Sequence, residues 1–233
     1  MGEGVTNEEA IMPYLDYCNI ACGGHTGSVN SMEETIELAL KNNVKIGAHP
    51  SYPDRINFGR KSIAISNKNL VESIRTQVDH LIKIAKTKNA ILFHIKPHGA
   101  LYNDIAKNKI VAQAFIKAIT PYKSNLKLFV PYKSEIEQMA IENNFEIIYE
   151  AFADRNYNDD LSLVSRNQSN ALIKDLNNLI QNVACIITTG KVNSVQNKKI
   201  AIKAETFCVH SDTKNAFEYA KELNKLLQKH INE

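Results

Sequence analysis

The feature that most constrains the fold is a repeated alternation of short apolar runs with longer segments of helical periodicity. The predicted strands are residues 17–22, 44–48, 90–95, 126–130, 146–149, 184–188 and 202–209. The predicted helices are residues 30–42, 66–87, 103–119, 133–143, 168–181 and 212–230. Strands joined through helices run parallel with right-handed crossovers. This pattern fits two architectures, a (β/α) barrel or an open doubly wound sheet.

The positions of the titratable residues distinguish these two architectures. Ionisable groups follow most of the predicted strands, in residues 23–25, 49–54, 94–98, 150–155 and 210–212. In a barrel the C-terminal strand ends surround one mouth, where catalytic groups gather. An open sheet usually carries a glycine-rich phosphate loop, and the sequence has neither G-x-G-x-x-G nor G-x-x-x-x-G-K-[ST]. We therefore predict an α/β fold, a (β/α) barrel of about seven strands, as a single domain over residues 1–233.

Composition narrows the possible partners and compartments. The chain has 233 residues, of which 44% are apolar, enough to bury one sizeable core. Its net charge of +3 comes with scattered lysines, which argues against a nucleic-acid partner. No apolar run approaches the ~18 residues of a membrane helix, and the start "MGEGVTNEEA" does not resemble a signal peptide. Four irregularly spaced cysteines favour reduced thiols in a cytoplasmic protein. A homo-oligomer is left open.

The stretch "HIKPHGALYN" concentrates three potentially cationic side chains at the end of a predicted strand. His94 and Lys96 share one face of an extended segment. Pro97 excludes a helix that presents both histidines to a metal, since a proline inside a helix costs about 3 kcal/mol. We expect Pro97 and Gly99 to direct His98 into the barrel mouth. Adjacent cations repel, so Lys96 is predicted to bind a substrate carboxylate or phosphate, or to pair with a barrel carboxylate. Alternatively, the imidazoles only hydrogen-bond to loop backbone.

Two other motifs place single histidines beside rigid or glycine-rich loops. His49 in "GAHPSYPD" precedes two prolines that stiffen the following loop, which suits either positioning of a catalytic group or simple strand termination. Arg60 follows closely and is either a bidentate anion ligand or a surface charge. His25 lies in the turn "ACGGHTG", whose backbone amides could bind an anion before a helix.

The motif "EAFADRNY" supplies carboxylates that the histidine motifs lack. Glu150 and Asp154 follow the fifth predicted strand, and one of these carboxylates, with a pKa raised beside histidines, would serve as a general acid or base. Alternatively, an ion pair between Asp154 and Arg155 holds the loop. Arg166, His210 and Asp212 are further binding candidates, and Asp212 is also a candidate N-cap for the last helix.

Five motifs, in this order, resemble the LamB/YcsF family: "NIACGGH", "GAHPSYPD", "HIKPHGALYN", "EAFADRNY" and "CVHSDT". The resemblance covers essentially the whole chain. It implies a (β/α) barrel related to the glycoside hydrolase/deacetylase folds. It also implies 5-oxoprolinase activity, the ATP-dependent hydrolysis of 5-oxoproline to L-glutamate, with separate B and C subunits. ATP, with Mg²⁺, is the implied cofactor, and the sequence does not indicate where it binds.

The resemblance also extends to individual residues of the site. Among the matching positions, the predicted catalytic residues are His49, His94, Lys96, His98 and Asp154. The predicted substrate-binding residues are Glu3, His25, Asp54, Arg60, Arg155, Arg166, His210 and Asp212. If a divalent metal is bound, its candidate ligands are His25, His49 and His98.

The chain departs from the family pattern at its start. The family usually opens with a strand resembling "DLNCDMGEG", whereas this sequence begins with Met1-Gly-Glu-Gly. We therefore expect the first barrel strand to be missing from this chain, together with a carboxylate that would point into the mouth. Two other functions stay open. One is a metal-dependent amide hydrolase, such as a carbohydrate deacetylase, and the other is a non-catalytic subunit that binds the lactam.

Overall fold

The computed structural model describes residues 1–231, which form two compact units. The first unit comprises Met1–Val130 and Ser134–Ile147. The second comprises Pro131–Lys133 and the chain from Ile148 onward. Within residues 1–231, no helix is both long and apolar enough to cross a bilayer.

The first unit contains parallel strands that alternate with helices. Its strands are β1 (Tyr17–Ala21), β2 (Lys45–His49), β3 (Leu92–Ile95) and β4 (Lys127–Val130). Each pairs in parallel with the next, so that β1 adjoins β2, β2 adjoins β3 and β3 adjoins β4. Its helices are α1 (Glu8–Ile11), α2 (Val29–Lys41), α3 (Asn67–Thr87), α4 (Gly99–Lys107), α5 (Lys109–Ile119) and α6 (Glu135–Glu142). Parallel strands need such crossovers, because a short hairpin cannot join them.

Side-chain caps decide where several of these helices begin. The hydroxyls of Ser28, Ser66 and Ser134 accept hydrogen bonds from backbone amides in the first turns of α2, α3 and α6. The helix predicted over residues 103–119 is instead two helices, α4 and α5. Asn108 separates them, because its side chain accepts from the amides of Ile110 and Val111 and starts α5 anew.

The second unit contains nearly all of β5 (Ile147–Phe152) and the parallel strand β8 (Thr206–Cys208). Between them lie α7 (Leu176–Thr189) and an antiparallel hairpin, β6 (Lys191–Asn193) with β7 (Lys199–Ala201). Helix α8 (Ala216–Ile231) follows β8. The core packs α7 against α8 through Leu179, Val183, Tyr219 and Leu223.

Four predictions for the second unit differ from the structure. Residues 184–188 are not a strand but part of α7, where Leu179, Val183 and Ile186 are buried at helical spacing. That helix begins after Asp175, so most of the helix predicted over 168–181 is loop, and Gly190 ends it with a φ of 62°. Residues 202–209 form a strand only at 206–208. Helix α8 begins at Ala216, so Asp212 is not its N-cap.

The predicted α/β class is confirmed in both units. Parallel pairing joins four strands in the first unit and two in the second, so the described part of the chain has six parallel strands, whereas about seven were predicted. No strand precedes β1 within residues 1–231, although Met1 hydrogen-bonds beside it. The Met1 amine donates to the Asn19 carbonyl at 2.8 Å, and Ala21 N–H donates to the Met1 carbonyl at 3.1 Å. The single-domain organisation over 1–233 stays a prediction.

Gly47 makes room for a buried ring on the neighbouring strand. Gly47 pairs in register with His94, and a Cβ atom at Gly47 would overlap the His94 imidazole. His94 is fully buried, stacks on Phe129 at a centroid distance of 4.0 Å and contacts the Asn19 side chain at 2.8 Å. The glycine is therefore required by packing and not by backbone conformation.

We predict that Gly47→Ala lowers the free energy of unfolding by about 1–3 kcal/mol, because the added methyl overpacks the His94 ring. Denaturant unfolding measures the effect. The control is the same substitution in a His94→Ala background, where the ring is absent and the cost should largely disappear. An equal cost in both backgrounds would contradict the proposed contact.

Candidate functional site

Three imidazoles of the first unit come together although they are far apart in sequence. The ring of His25 stacks on that of His98 with a centroid distance of 3.7 Å and an interplanar angle of 4°. The His49 ring lies edge-on to both, at 4.9 Å from His98 and 5.8 Å from His25. Glu3 joins them, since His25 Nε2 lies 3.0 Å from Glu3 Oε1. We call these four residues the histidine cluster.

Strand ends and turns position the cluster. His49 is the last residue of β2. His98 follows β3, and its backbone N–H donates to the Pro50 carbonyl at 2.9 Å. His25 lies in the turn before α2. Gly59 and Gly99 let two loops touch beneath the rings, because a Cβ at Gly99 would lie 2.5 Å from the Gly59 carbonyl oxygen.

Backbone carbonyls fix the orientation of two rings. His49 Nδ1 lies 2.6 Å from the Lys96 carbonyl oxygen, and His98 Nε2 lies 2.9 Å from the Phe58 carbonyl oxygen. The remaining nitrogens face each other, with His98 Nδ1 3.1 Å from His49 Nε2. Among residues 1–231, Glu3, His49 and His98 form a group that could hold a metal, since their ligand atoms lie within 4.8 Å of one another.

The cluster keeps His49 and His98 neutral and its carboxylate ionised. Burial lowers the pKa of His98 to about 3, and the neighbouring His25 contributes. Burial, together with His98 and Lys96, holds the pKa of His49 well below its usual range. Burial alone would raise the pKa of Glu3, but the Met1 ammonium and the hydrogen bond with His25 outweigh it and lower that pKa to about 2. Repulsion between two adjacent imidazolium ions is thereby avoided.

His94 and Lys96 share a strand but differ in surroundings. His94 is enclosed by aromatic rings, and burial lowers its pKa to about 3. This placement favours a packing role for His94, and its predicted catalytic role gains no support. The Lys96 ammonium lies 5.8 Å from the centre of the Tyr102 ring, and Lys96 is buried.

The 50–60 loop contains two predicted binding residues that contact other residues of the same loop. Asp54 accepts hydrogen bonds from the backbone and side chain of Asn57 and so shapes the loop. Arg60 is exposed, with its guanidinium 5.0 Å from the centre of the Phe58 ring. The Phe58 ring in turn packs edge-on against His25 and His98. Binding of an anion by Arg60 stays a prediction.

The second unit contains a separate constellation around Asp154. Asp154 is fully buried and accepts hydrogen bonds from the backbone and Nδ1 of His210 and from the Thr213 hydroxyl. Burial alone would raise its pKa, but His210 and these hydrogen bonds lower it to about 2. Asp154 is therefore not the carboxylate of raised pKa that the motif predicted, because three donors stabilise its charged form.

Arg155 holds a loop, but through backbone carbonyls and not through the predicted pair with Asp154. Its guanidinium donates to the carbonyls of Ala171 at 3.2 Å and Val164 at 2.5 Å. Burial lowers the pKa of Arg155, and the nearby Arg166 adds to this effect. Arg166 lies 4.0 Å from the Asp212 carboxylate, and both side chains are partly exposed. The predicted substrate-binding roles of these residues stay predictions.

Comparison with known proteins identifies the family. The sequence matches the LamB/YcsF family over residues 1–233. The chain belongs to the LamB/YcsF family. It is 38% identical over 229 residues to the A subunit of 5-oxoprolinase from Haemophilus influenzae, covering 98% of this chain and 94% of the relative. It is 39% identical over 223 residues to the A subunit of 5-oxoprolinase from Bacillus anthracis, covering 95% and 88% of the two chains.

A solved structure has the same TIM-like fold. The crystal structure of the lactam utilization protein from Thermus thermophilus superposes with a TM-score of 0.90 at 29% sequence identity. The match covers 99% of this chain and 94% of that protein. The family and fold predicted from the five motifs are therefore confirmed.

Several functional contacts were missed by sequence reasoning. Thr213 lies within the motif "CVHSDT", so its spacing of three residues from His210 was a usable signal. The carbonyl groups of Lys96 and Phe58 carry no such signal, because any residue type offers the same acceptor. These two carbonyls contact the imidazoles only because of the way in which the loops that carry them fold.

We predict that Asp154→Asn lowers the free energy of unfolding at pH 7 by about 2 kcal/mol, because the folded protein stabilises the ionised carboxylate. The folded pKa lies below the ordinary value of 3.8, so the stabilisation is complete above that pH and fades as the pH falls towards about 2. Denaturant unfolding at a series of pH values measures it. The exposed Glu218→Gln serves as control. If the difference in unfolding free energy between wild type and Asp154→Asn does not decrease as the pH falls, this assignment is contradicted.

Proposed function

We propose that this protein is a component of a 5-oxoprolinase, which hydrolyses 5-oxoproline to L-glutamate with ATP, together with B and C subunits. The observation that carries the proposal is the 38% identity to the A subunit of a 5-oxoprolinase over 98% of this chain and 94% of the relative. Because that relative is named as one subunit of an enzyme, its name supports an assembly of more than one kind of chain. ATP as co-substrate makes the cytoplasm the expected compartment.

The chemistry explains why ATP and a positioned base are both needed. Amide resonance makes the lactam carbonyl a poor electrophile. Transfer of a phosphoryl group from ATP to the lactam oxygen forms ADP and an activated carbon. One water then attacks that carbon, and the ring C–N bond breaks with the nitrogen leaving as the amine, which gives an acyl phosphate. A second water hydrolyses the acyl phosphate to the carboxylate and releases inorganic phosphate. This sequence needs a group that takes a proton from water and a cation that stabilises the developing negative charge.

His210 is the best-placed general base. Its Nδ1 lies 3.0 Å from both oxygens of Asp154, whose low pKa keeps the carboxylate ionised and therefore an acceptor. The Nδ1–H tautomer follows, and it leaves a lone pair on Nε2, the usual arrangement of a base oriented by a carboxylate. The His210 side chain is 23% exposed, so water can reach it. Asp154 thus becomes a positioning residue, and His210 takes the role of base.

A separate assignment concerns the first unit, in which the buried Lys96 ammonium is proposed to bind a carboxylate or a phosphate. His98 is not a second cation in this unit, because burial lowers its pKa to about 3.

We predict that the chain mixed with its B and C subunits, ATP and 5-oxoproline produces glutamate. His210→Gln should lower kcat by about 10²–10⁴-fold, because it removes the base. Asp154→Asn should also lower kcat and change its pH dependence, since the imidazole loses its orienting carboxylate. His80→Gln, on the exposed side of α3, is the matched control.

Two outcomes would contradict parts of this proposal. Unchanged kcat in His210→Gln, with wild-type circular dichroism, would remove the base assignment while leaving the overall function in place. Absence of glutamate in the wild-type mixture would remove the function itself. ATP-independent hydrolysis of an acetylated sugar would favour the deacetylase, and lactam binding without turnover would favour the non-catalytic role.

A further inference from the structure

The facing nitrogens of His49 and His98 pose a proton-counting problem. A backbone carbonyl only accepts hydrogen bonds, so the ring nitrogen that contacts it must carry a proton. His49 Nδ1 lies 2.6 Å from the Lys96 carbonyl oxygen, and His98 Nε2 lies 2.9 Å from the Phe58 carbonyl oxygen. These acceptors assign the Nδ1–H tautomer to His49 and the Nε2–H tautomer to His98.

With those tautomers, two lone pairs point at each other. A neutral imidazole carries one ring proton, so His49 Nε2 and His98 Nδ1 are both unprotonated. They lie 3.1 Å apart, a distance at which two acceptors repel unless a cation lies between them. Glu3 Oε1 adds a third electron donor, 4.0 Å from His98 Nδ1.

We propose that His49 Nε2, His98 Nδ1 and the Glu3 carboxylate bind a divalent first-row transition metal ion, with Zn²⁺ as the representative case. Zinc binds histidine nitrogen at about 2.0–2.1 Å, so two nitrogens of a tetrahedral site lie about 3.3–3.4 Å apart. The observed 3.1 Å is close to this value, and the three ligand atoms all lie within 4.8 Å of one another. Three protein ligands leave one position for an oxygen ligand such as water.

The groups around the three ligands fit the same assignment. Histidines that bind metals usually donate their other N–H to a carbonyl or carboxylate, which fixes the ring. The carbonyls of Lys96 and Phe58 accept in this way from His49 and His98. His25 Nε2 contacts the proposed ligand atom Glu3 Oε1 at 3.0 Å, and its ring stacks on His98. His25 is therefore a positioning residue and not a ligand in this assignment.

The site does not rest on the proposed function, since a 5-oxoprolinase component or another amide hydrolase could use it. The test uses the isolated full chain, without ATP, substrate or other subunits. The protein is stripped of metal with a chelator and titrated with Zn²⁺ in a calorimeter. Titration with Co²⁺ gives an independent readout, because its visible absorption reports tetrahedral nitrogen and oxygen ligands.

We predict binding of one equivalent of Zn²⁺ and a tetrahedral-type Co²⁺ spectrum. His49→Gln, His98→Gln and Glu3→Gln should each weaken Zn²⁺ binding by at least about tenfold. His25→Gln should weaken it about 10- to 100-fold, as expected for loss of a group that orients a ligand. His80→Gln is the matched control and should bind as wild type does.

Failure of the wild-type chain to bind either ion would overturn the site. So would unchanged Zn²⁺ affinity in a His49→Gln/His98→Gln double variant whose circular dichroism matches wild type. A third outcome would also reject the metal. If NMR of the metal-free protein shows a proton bound between His49 Nε2 and His98 Nδ1, and Zn²⁺ does not displace it, then that proton is the cation between the two rings. If the histidine variants fail to fold, Glu3→Gln and Glu3→Asp keep the test decisive, because Glu3 lies outside the helices and strands of the first unit.

Discussion

The organisation of the first unit depends on keeping imidazoles uncharged where little water reaches them. Burying a charged ring without a partner is costly, and the protein supplies backbone carbonyls as the hydrogen-bond acceptors of neutral His49 and His98. Those carbonyls select one tautomer for each ring and turn the remaining nitrogens towards each other. The loop contact through Gly59 and Gly99 makes this arrangement possible, since it brings the Phe58 carbonyl over His98. Packing, tautomer and ligand geometry are therefore linked.

In the second unit the buried group is charged and not neutral. Asp154 is fully buried as a carboxylate, and its charge is balanced by hydrogen bonds from His210 and Thr213. The same contacts orient His210, whose side chain is 23% exposed. One unit thus holds neutral rings suited to binding a cation, whereas the other holds an oriented imidazole suited to taking a proton. Both arrangements place functional groups after strand ends, as expected for parallel α/β folds.

Much of the fold was predictable because its strands are apolar, β-branched runs between amphipathic helices. β1, β2, β4 and β5 lie within a few residues of the predicted positions, since burial on both faces imposes that composition. The strand predicted at 184–188 was wrong because a short apolar run looks the same in a buried helix. Asp175 and Gly190, which cap that helix, were the signals that would have corrected it.

In the candidate site, His25, His49 and His98 were identified because they follow strand ends, and the structure brings them together. His94 follows the same sequence logic, yet it lies deeper along β3 and packs on Phe129. Sequence alternation tells which face a residue occupies, but not how far along the strand a cavity begins. Tautomers depend on carbonyls from distant loops, which no residue type reveals.

The most direct test of this account is the protonation of the two facing rings, measured by two-bond ¹H–¹⁵N correlation NMR on the full-length, histidine-labelled protein at neutral pH. The account predicts that His49 carries its proton on Nδ1 and His98 on Nε2, with neither ring doubly protonated. Spectra in which both rings are imidazolium, or in which either ring has the other tautomer, would contradict it.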